Sequence, residues 1–285
     1  MSARSMPGVR CDVCPHGCAP APGATGACRA RSNVGGAIVP TGYGRITSLA
    51  IDPVEKKPLA QWRPGSTVLS VGSYGCNLRC PWCQNASISQ VGEDGVAWRD
   101  VSAYELAALA AQAHARDSRM VGVAFTYNEP LVCWEYVCDA GTLVHERGLS
   151  NVLVSAGCVS QHVMREVAPL IDAANIDLKS IRATTYDMLG GDLRVVQQSI
   201  ELLAETPSCH LEVTCLVVPG VNDTEDEMRE LASWVASVDK NIVLHVTRFH
   251  PAWHKRDVGP TPVAKVYALA DAARSILPYV YTGNC

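Results

Sequence analysis

Thirteen of the chain's 285 residues are cysteine. Seven stand in two tight groups: Cys11, Cys14, Cys18 and Cys28, then Cys76, Cys80 and Cys83. The others are spread singly along the chain, where a free thiol packs as a small hydrophobe. An odd cysteine count in a chain this long does not suit a disulfide framework. In Gly75-Cys76-Asn77-Leu78-Arg79-Cys80-Pro81-Trp82-Cys83-Gln84-Asn85, three thiolates fall within eight residues. Three thiolates can each take one iron of a [4Fe–4S] cube, which leaves the fourth iron without a local protein ligand. A closed zinc site asks for four ligands, and no fourth Cys or His lies near in sequence. Redox dithiols do not usually show C-x3-C-x2-C spacing. The spacing therefore points to a cluster with one open iron.

The first group offers four thiolates, and two readings stay open. One is structural zinc, held by Cys11, Cys14, Cys18 and Cys28 or with His16 in place of one of them. The other is a second, fully ligated [4Fe–4S] cluster, able to pass an electron toward the first. Zinc folds usually present two separated pairs, whereas Cys11, Cys14 and Cys18 lie within eight residues, which tilts the balance slightly toward the cube.

These groups need elements to position them. Residues 1–66 are rich in Gly and Pro, with a hairpin expected around Ala37–Ile51; they read as a small Cys-rich, metal-stabilised lobe. From residue 67 to 285 the texture changes. Apolar, β-rich runs at Thr67–Tyr74, Val121–Thr126, Asn151–Ser155, Ala174–Leu178, His210–Val218 and Ile242–Phe249 alternate with helical patterns. The helices are expected at Ala103–Ala115, Leu131–Glu146, Ser160–Leu170, Leu193–Thr206, Thr224–Val238 and Pro262–Leu277. Continuously apolar strands alternating with helices belong to a parallel sheet covered on both sides. The expected fold is α/β, a partial (β/α)6 barrel, with its chemistry at the carboxyl ends of the strands.

The C-x3-C-x2-C motif with Trp82 before its last cysteine resembles the radical S-adenosylmethionine (SAM) signature, and its flanks resemble the branch containing pyruvate formate-lyase activating enzymes. A narrower resemblance, to the radical SAM component of the AmmeMemoRadiSam system, runs from Cys14 to Asn284. It is carried by Cys14-Pro15-His16-Gly17-Cys18, Ile51-Asp52-Pro53-Val54-Glu55-Lys56-Lys57-Pro58-Leu59, Thr126-Tyr127-Asn128-Glu129-Pro130, Arg248-Phe249-His250-Pro251 and Tyr279-Val280-Tyr281-Thr282-Gly283-Asn284. The resemblance implies that Cys76, Cys80 and Cys83 hold the catalytic cluster and that SAM chelates its open iron. Trp82, Asn128 and Glu129 would then lie at the SAM site, although activating enzymes commonly have glycines where Tyr127 and Asn128 stand here. Ser155 and Gly157 would flank the methionine or ribose part, Asp177 would accept from the ribose, and Lys179 would face the SAM carboxylate. His250 is expected on the cavity wall. Asn222 and Asp223 follow the fifth strand near the adenine position, with Asp223 favoured as a helix N-cap.

The formal charge of −4, from 24 basic and 28 acidic residues, argues against a phosphate-backbone binder, so no nucleic-acid partner is expected. No membrane partner is expected either, since no window approaches a span and Met1–Arg10 holds no apolar signal-like stretch. The expected setting is cytoplasmic and anaerobic, with flavodoxin or ferredoxin as one-electron donor. Three functions compete: AmmeMemoRadiSam-type radical chemistry on a small molecule or another protein, activation of a glycyl-radical enzyme, and a non-catalytic iron–sulfur or zinc protein. The sequence names no substrate.

Overall fold

The computed structural model describes residues 9–285; the expectations for residues 1–8 lie outside them. Four strands precede the cluster loop: β1 (Arg31–Val34), β2 (Ala37–Pro40), β3 (Arg45–Ile46) and β4 (Ser48–Pro53). Then come β5 (Thr67–Gly72), the short helix α1 (Ala86–Ser89) and β6 (Arg99–Asp100). From there helix and strand alternate: α2 (Ala103–Arg116), β7 (Met120–Phe125), α3 (Trp134–His145), β8 (Ser150–Ser155), α4 (Gln161–Val167) and β9 (Ala173–Asp177). The chain continues through α5 (Ala183–Leu189), α6 (Leu193–Ala204), β10 (His210–Val217), α7 (Glu225–Val238), β11 (Val243–Arg248), α8 (Val263–Arg274) and β12 (Val280–Gly283).

The main sheet runs β12-β11-β10-β9-β8-β7-β5-β4, parallel throughout except for the antiparallel β4–β5 pair. This is the α/β partial barrel expected, with differences, one of them the additional helix α5. A seventh parallel strand, β12, follows the last helix; at four residues it is too short to stand out as an apolar run. The hairpin is also placed differently. β2 pairs with β1, and β4 leaves the lobe to pair with β5 from Ser48↔Gly72 to Pro53↔Thr67. An edge strand can take whichever partner offers unpaired backbone groups, and that choice is made by distant residues.

Local signals set the helix starts. Ser102 and Glu105 form a reciprocal capping box at α2. Asp192 caps α6, accepting from the backbone N–H of Arg194 and Val195. The cap of α7 is Thr224 rather than the expected Asp223, which instead accepts from Gly220 N–H at 3.1 Å. Thr224 is followed by Glu225, Asp226 and Glu227, whose charges suit the positive end of the helix.

One face of the sheet buries Val123, Phe125, Leu153, Ile176, Val213 and Val246 in the main apolar core with the helices. The other face lines the barrel. At its amino-terminal end the segment from Val54 to Ser66 crosses beneath the strands as a strap. Its Val54 and Leu59 are fully buried in a separate cluster with Val68, Ala124, Val152 and Ala173. Glu212, on β10, accepts from the N–H of Ala60 at 2.9 Å and of Gln61 at 2.8 Å. Asn175 Nδ2 donates to Pro58 O at 2.8 Å. The strap floors the barrel and leaves its chemistry at the opposite mouth.

Candidate active site

The cluster loop leaves β5 and is pinned on several sides. Its start is Gly75, at φ +84°, where an added Cβ would sit 2.4 Å from Cys28 O. Only glycine fits there, because the positive φ and the close carbonyl both exclude a side chain. Cys76 N donates to the same carbonyl at 3.1 Å. Downstream, Arg79 N donates to Leu189 O at 2.8 Å, and Gln90 Nε2 donates to Leu78 O at 3.1 Å. Leu78 and Trp82 are buried and fix the loop's apolar side.

Cys76, Cys80 and Cys83 all face a cavity of about 640 Å³ at the barrel mouth, together with Trp82, Asn128, Glu129, Ser155, Asp177 and Lys179. Burial pushes the Cys76 thiol well above its ordinary value. It pushes Cys80 up to about 11, with Lys179 pulling the other way. Thiols this reluctant to ionise are poor nucleophiles, but a metal that binds them supplies the charge that removes the proton. Among the described residues no three His, Cys, Asp or Glu side chains converge on a single metal ion. Three thiols on one loop can each bind a different iron of a cluster.

The residues expected beside the cluster divide into two sets. Asn128, Glu129 and Ser155 are spent largely on one another and on backbone. Asn128 Oδ1 accepts from Ser73 N at 3.0 Å, and its Nδ2 donates to Tyr74 O and Gly75 O at 3.1 Å each. Glu129 accepts from Ser155 Oγ at 2.7 Å, Ala156 N at 2.8 Å and Leu131 N at 3.1 Å. Burial raises the Glu129 carboxyl pKa, and those donors pull against it. Three of about four acceptor positions are thereby filled. Glu129 ties the end of β7 to the end of β8. Asp177 and Lys179 form the second set, a pair at 2.6 Å. Burial opposes the Lys179 charge, but Asp177 and Cys80 outweigh it and raise its pKa.

Two expected residues lie outside the cavity lining. Gly157, at φ +65°, turns its Cα toward Ile176 and Ser199. His250 is exposed beyond β11, with Nε2 3.3 Å from Asn284 O. Asn222 is a buried knot, donating to Lys179 O at 2.8 Å and Leu216 O at 2.9 Å. Tyr127, where activating enzymes commonly have glycine, keeps a left-handed backbone at φ +73°. That conformation costs a non-glycine residue on the order of 1–2 kcal/mol. The Tyr127 hydroxyl offsets part of it by donating to Asp52 at 2.6 Å, beside the Lys57–Asp52 pair at 2.8 Å. Sequence reasoning passed over this Asp52–Lys57–Tyr127 knot, and also Glu212 and His245 inside the barrel. The available signal was a charged or imidazole side chain within an apolar strand run.

In the first group, Cys11, Cys14, Cys18 and Cys28 line one small enclosed space with Arg31 and Val132. His16 Nδ1 lies 3.6 Å from Cys14 Sγ.

A parallel partial barrel with a three-cysteine loop at its mouth defines a class of radical enzymes. The family model described as the radical SAM superfamily matches residues 70–235. The chain belongs to the radical SAM superfamily, whose members work with a [4Fe–4S] cluster and SAM. Among its relatives, an uncharacterised protein of Methanocaldococcus jannaschii is 34% identical over 278 residues, 97% of this chain and 81% of that one. The 4-hydroxyphenylacetate decarboxylase activating enzyme of Clostridioides difficile (strain 630) is 26% identical over 116 residues, 40% of this chain and 37% of that protein. A radical SAM methyltransferase from Sphaerobacter thermophilus superposes with TM-score 0.60 at 16% identity, over 77% of this chain and 66% of that one. A domain of pyruvate-formate lyase-activating enzyme from Bacteroides vulgatus gives 0.51 at 18%, over 57% and 99%. Among the described residues no helix is long and apolar enough to cross a membrane.

Proposed function

We propose that this enzyme holds its catalytic [4Fe–4S] cluster on Cys76, Cys80 and Cys83 and cleaves SAM reductively, with Asp177 and Lys179 orienting the SAM molecule. When bound, the cluster and SAM would supply the chemistry, a one-electron reductive cleavage of the sulfonium C–S bond that releases methionine and leaves the 5′-deoxyadenosyl group to take a hydrogen atom from the substrate. The chain's own residues position and shield. The observation that carries this reading is one cavity lined by both the three thiols and the Asp177–Lys179 pair, with Lys179 close enough to Cys80 for the two to act on each other's charge. Lys179 would face the SAM carboxylate and Asp177 the ribose. Asn128, Glu129 and Ser155 would act by holding the loop and strand ends, since their polar atoms are largely engaged. A flavodoxin or ferredoxin would deliver the electron.

The first group of cysteines is best read as a second [4Fe–4S] cluster. Its four thiols share one enclosed space, and three of them, Cys11, Cys14 and Cys18, fall within eight residues. Cys28 O also accepts directly from Cys76 N, a short covalent and hydrogen-bonded route between the two sites. Of the lobe expected at residues 1–66, the described part that precedes β4 would carry it.

AmmeMemoRadiSam-type chemistry is the reading we favour for the subclass, with glycyl-radical activation second. The strap over the barrel floor supports a substrate that enters from the mouth. The test is to supply the reduced enzyme and SAM with a glycyl-radical enzyme encoded beside it, and separately with the neighbouring partner proteins and small metabolites. A glycyl radical seen by electron paramagnetic resonance on the partner would establish activation. Formation of 5′-deoxyadenosine that depends on a small molecule would support the favoured reading.

A further inference from the structure

Strand register divides the inner wall of the barrel into layers. Asp177 on β9 pairs in register with Thr214 on β10, Thr214 with His245 on β11, and His245 with Tyr281 on β12. In parallel strands residues in register face the same side, and all four line the cavity. One row of side chains thus runs from the proposed SAM-orienting Asp177 to the far edge of the sheet. The row below is Asn175 and Glu212, which hold the strap. This middle layer is polar at a depth where barrels are usually filled by branched apolar residues.

Two of its atoms bond to none of the described residues. Thr214 Oγ1 is buried with no hydrogen-bond partner among them. His245 Nε2 lies 2.5 Å from Glu212 Oε2, while Nδ1 bonds to none of the described residues. Glu212 is fully buried and accepts from His210 Nε2 and the N–H of Ala60 and Gln61 as well. A carboxylate with four such donors is ionised and acceptor-only, so Nε2 of His245 must carry the hydrogen. In the neutral imidazole that leaves Nδ1 as a bare acceptor on a ring that lines the cavity. A hydroxyl with free lone pairs stands one strand away, and the His245 ring is held flat by stacking on Tyr281, with centroids 5.8 Å apart. An unsatisfied hydroxyl and a fixed acceptor side by side would be costly in a filled core.

We infer that this layer is the substrate subsite, built for a small polar molecule that presents a hydroxyl or amino hydrogen to His245 Nδ1 and a second polar group to Thr214 Oγ1. The inference rests on the radical SAM reading for its purpose and not for its geometry. Glu212 is the positioning residue that fixes the tautomer. Tyr281, tied to the strap by Gln61 Nε2 at 3.3 Å, walls the outer side.

The experiment is ¹⁵N-histidine nuclear magnetic resonance on the full-length, anaerobically reconstituted protein. Three small probes of equal carbon count are titrated: 1,2-propanediol, 1-amino-2-propanol and propionate. The His245 ring should report the Nε2–H tautomer, and the diol and amino alcohol should shift its Nδ1 resonance while propionate should not. Thr214→Val, nearly isosteric, should weaken that binding about tenfold, the loss expected for one hydrogen bond. Glu212→Gln should change the tautomer signature, which a purely structural role would leave alone. The subsite is overturned if neither donor probe moves the Nδ1 resonance, if propionate alone moves it, or if Thr214→Val binds like wild type. SAM cleavage is assayed in parallel on the unaltered protein. A protein that binds the diol at His245 but never cleaves SAM keeps the subsite and loses the radical reading.

Discussion

A thiol's neighbours decide whether a cysteine is packing or chemistry. Cys76, Cys80 and Cys83 were legible in the sequence because three cysteines within one loop need no fold to bring them together. Asp177 and Lys179 were expected two residues apart at a strand end, and there they pair with each other at 2.6 Å. What the sequence did not disclose is how Glu129, Asn128 and Ser155 are spent. Their partners, Ala156, Ser73 and Tyr74, come from other strands or loops, so the tally of used lone pairs exists only after folding. The two sets therefore behave differently on substitution. Lys179→Ala and Asp177→Ala should keep their iron and lose about 1–3 kcal/mol of SAM binding, roughly a 5- to 150-fold weaker affinity. Titration of SAM against the reduced cluster by electron paramagnetic resonance measures it; wild-type affinity in both variants would mean the pocket lies on other residues. Glu129→Gln sets an amide against the N–H of Ala156 or Leu131. It should lower folding stability by about 1–3 kcal/mol, read by thermal or denaturant unfolding.

Among the elements, the six long strands and all but α5 of the helices between them followed from apolar runs and helical patterns, and the structure adds the caps Ser102 and Asp192. The strap did not, because Val54–Ser66 carries no periodicity and owes its path to partners in the barrel. Glu212 is its anchor, and the consequence is a pH dependence. Burial alone would raise the Glu212 pKa, but hydrogen bonds from His210, His245, Ala60 and Gln61 prevail and lower it from 4.5 to about 2. An acid whose folded pKa lies below its unfolded one adds stability at higher pH. That stability is complete above the unfolded pKa and is lost as pH falls toward the folded one. A shift of this size corresponds to about 3 kcal/mol. Between pH of about 5 and about 2 the wild type should therefore lose about 3 kcal/mol more stability than Glu212→Gln. Amide exchange should show the strap opening earlier in the variant at neutral pH. Equal acid sensitivity of the two proteins would assign the strap's hold to its apolar residues, Leu59 and Val54.

At the scale of the whole molecule, the segment from Cys28 to Arg31 is built against the cluster loop and α3. Cys28 O accepts from Cys76 N, Arg29 Nη1 donates to Cys76 O at 3.2 Å, and Arg31 forms a two-pronged pair with Glu135 on α3 at 2.7 and 2.9 Å. Removing the lobe would disturb the loop, so the first cysteine group is better tested by point substitution. Cys14→Ala with Cys18→Ala should lower iron from about eight to about four per chain; one zinc per chain with no iron above four would overturn the second cluster. The proposed SAM cleavage rests on the other group alone. The decisive measurement is 5′-deoxyadenosine and methionine formed from SAM by the anaerobically reconstituted, reduced protein, set beside Cys76→Ala, Cys80→Ala and Cys83→Ala. Wild type should form both products and none of the three variants should form either; cleavage that persists in any one variant would contradict the assignment.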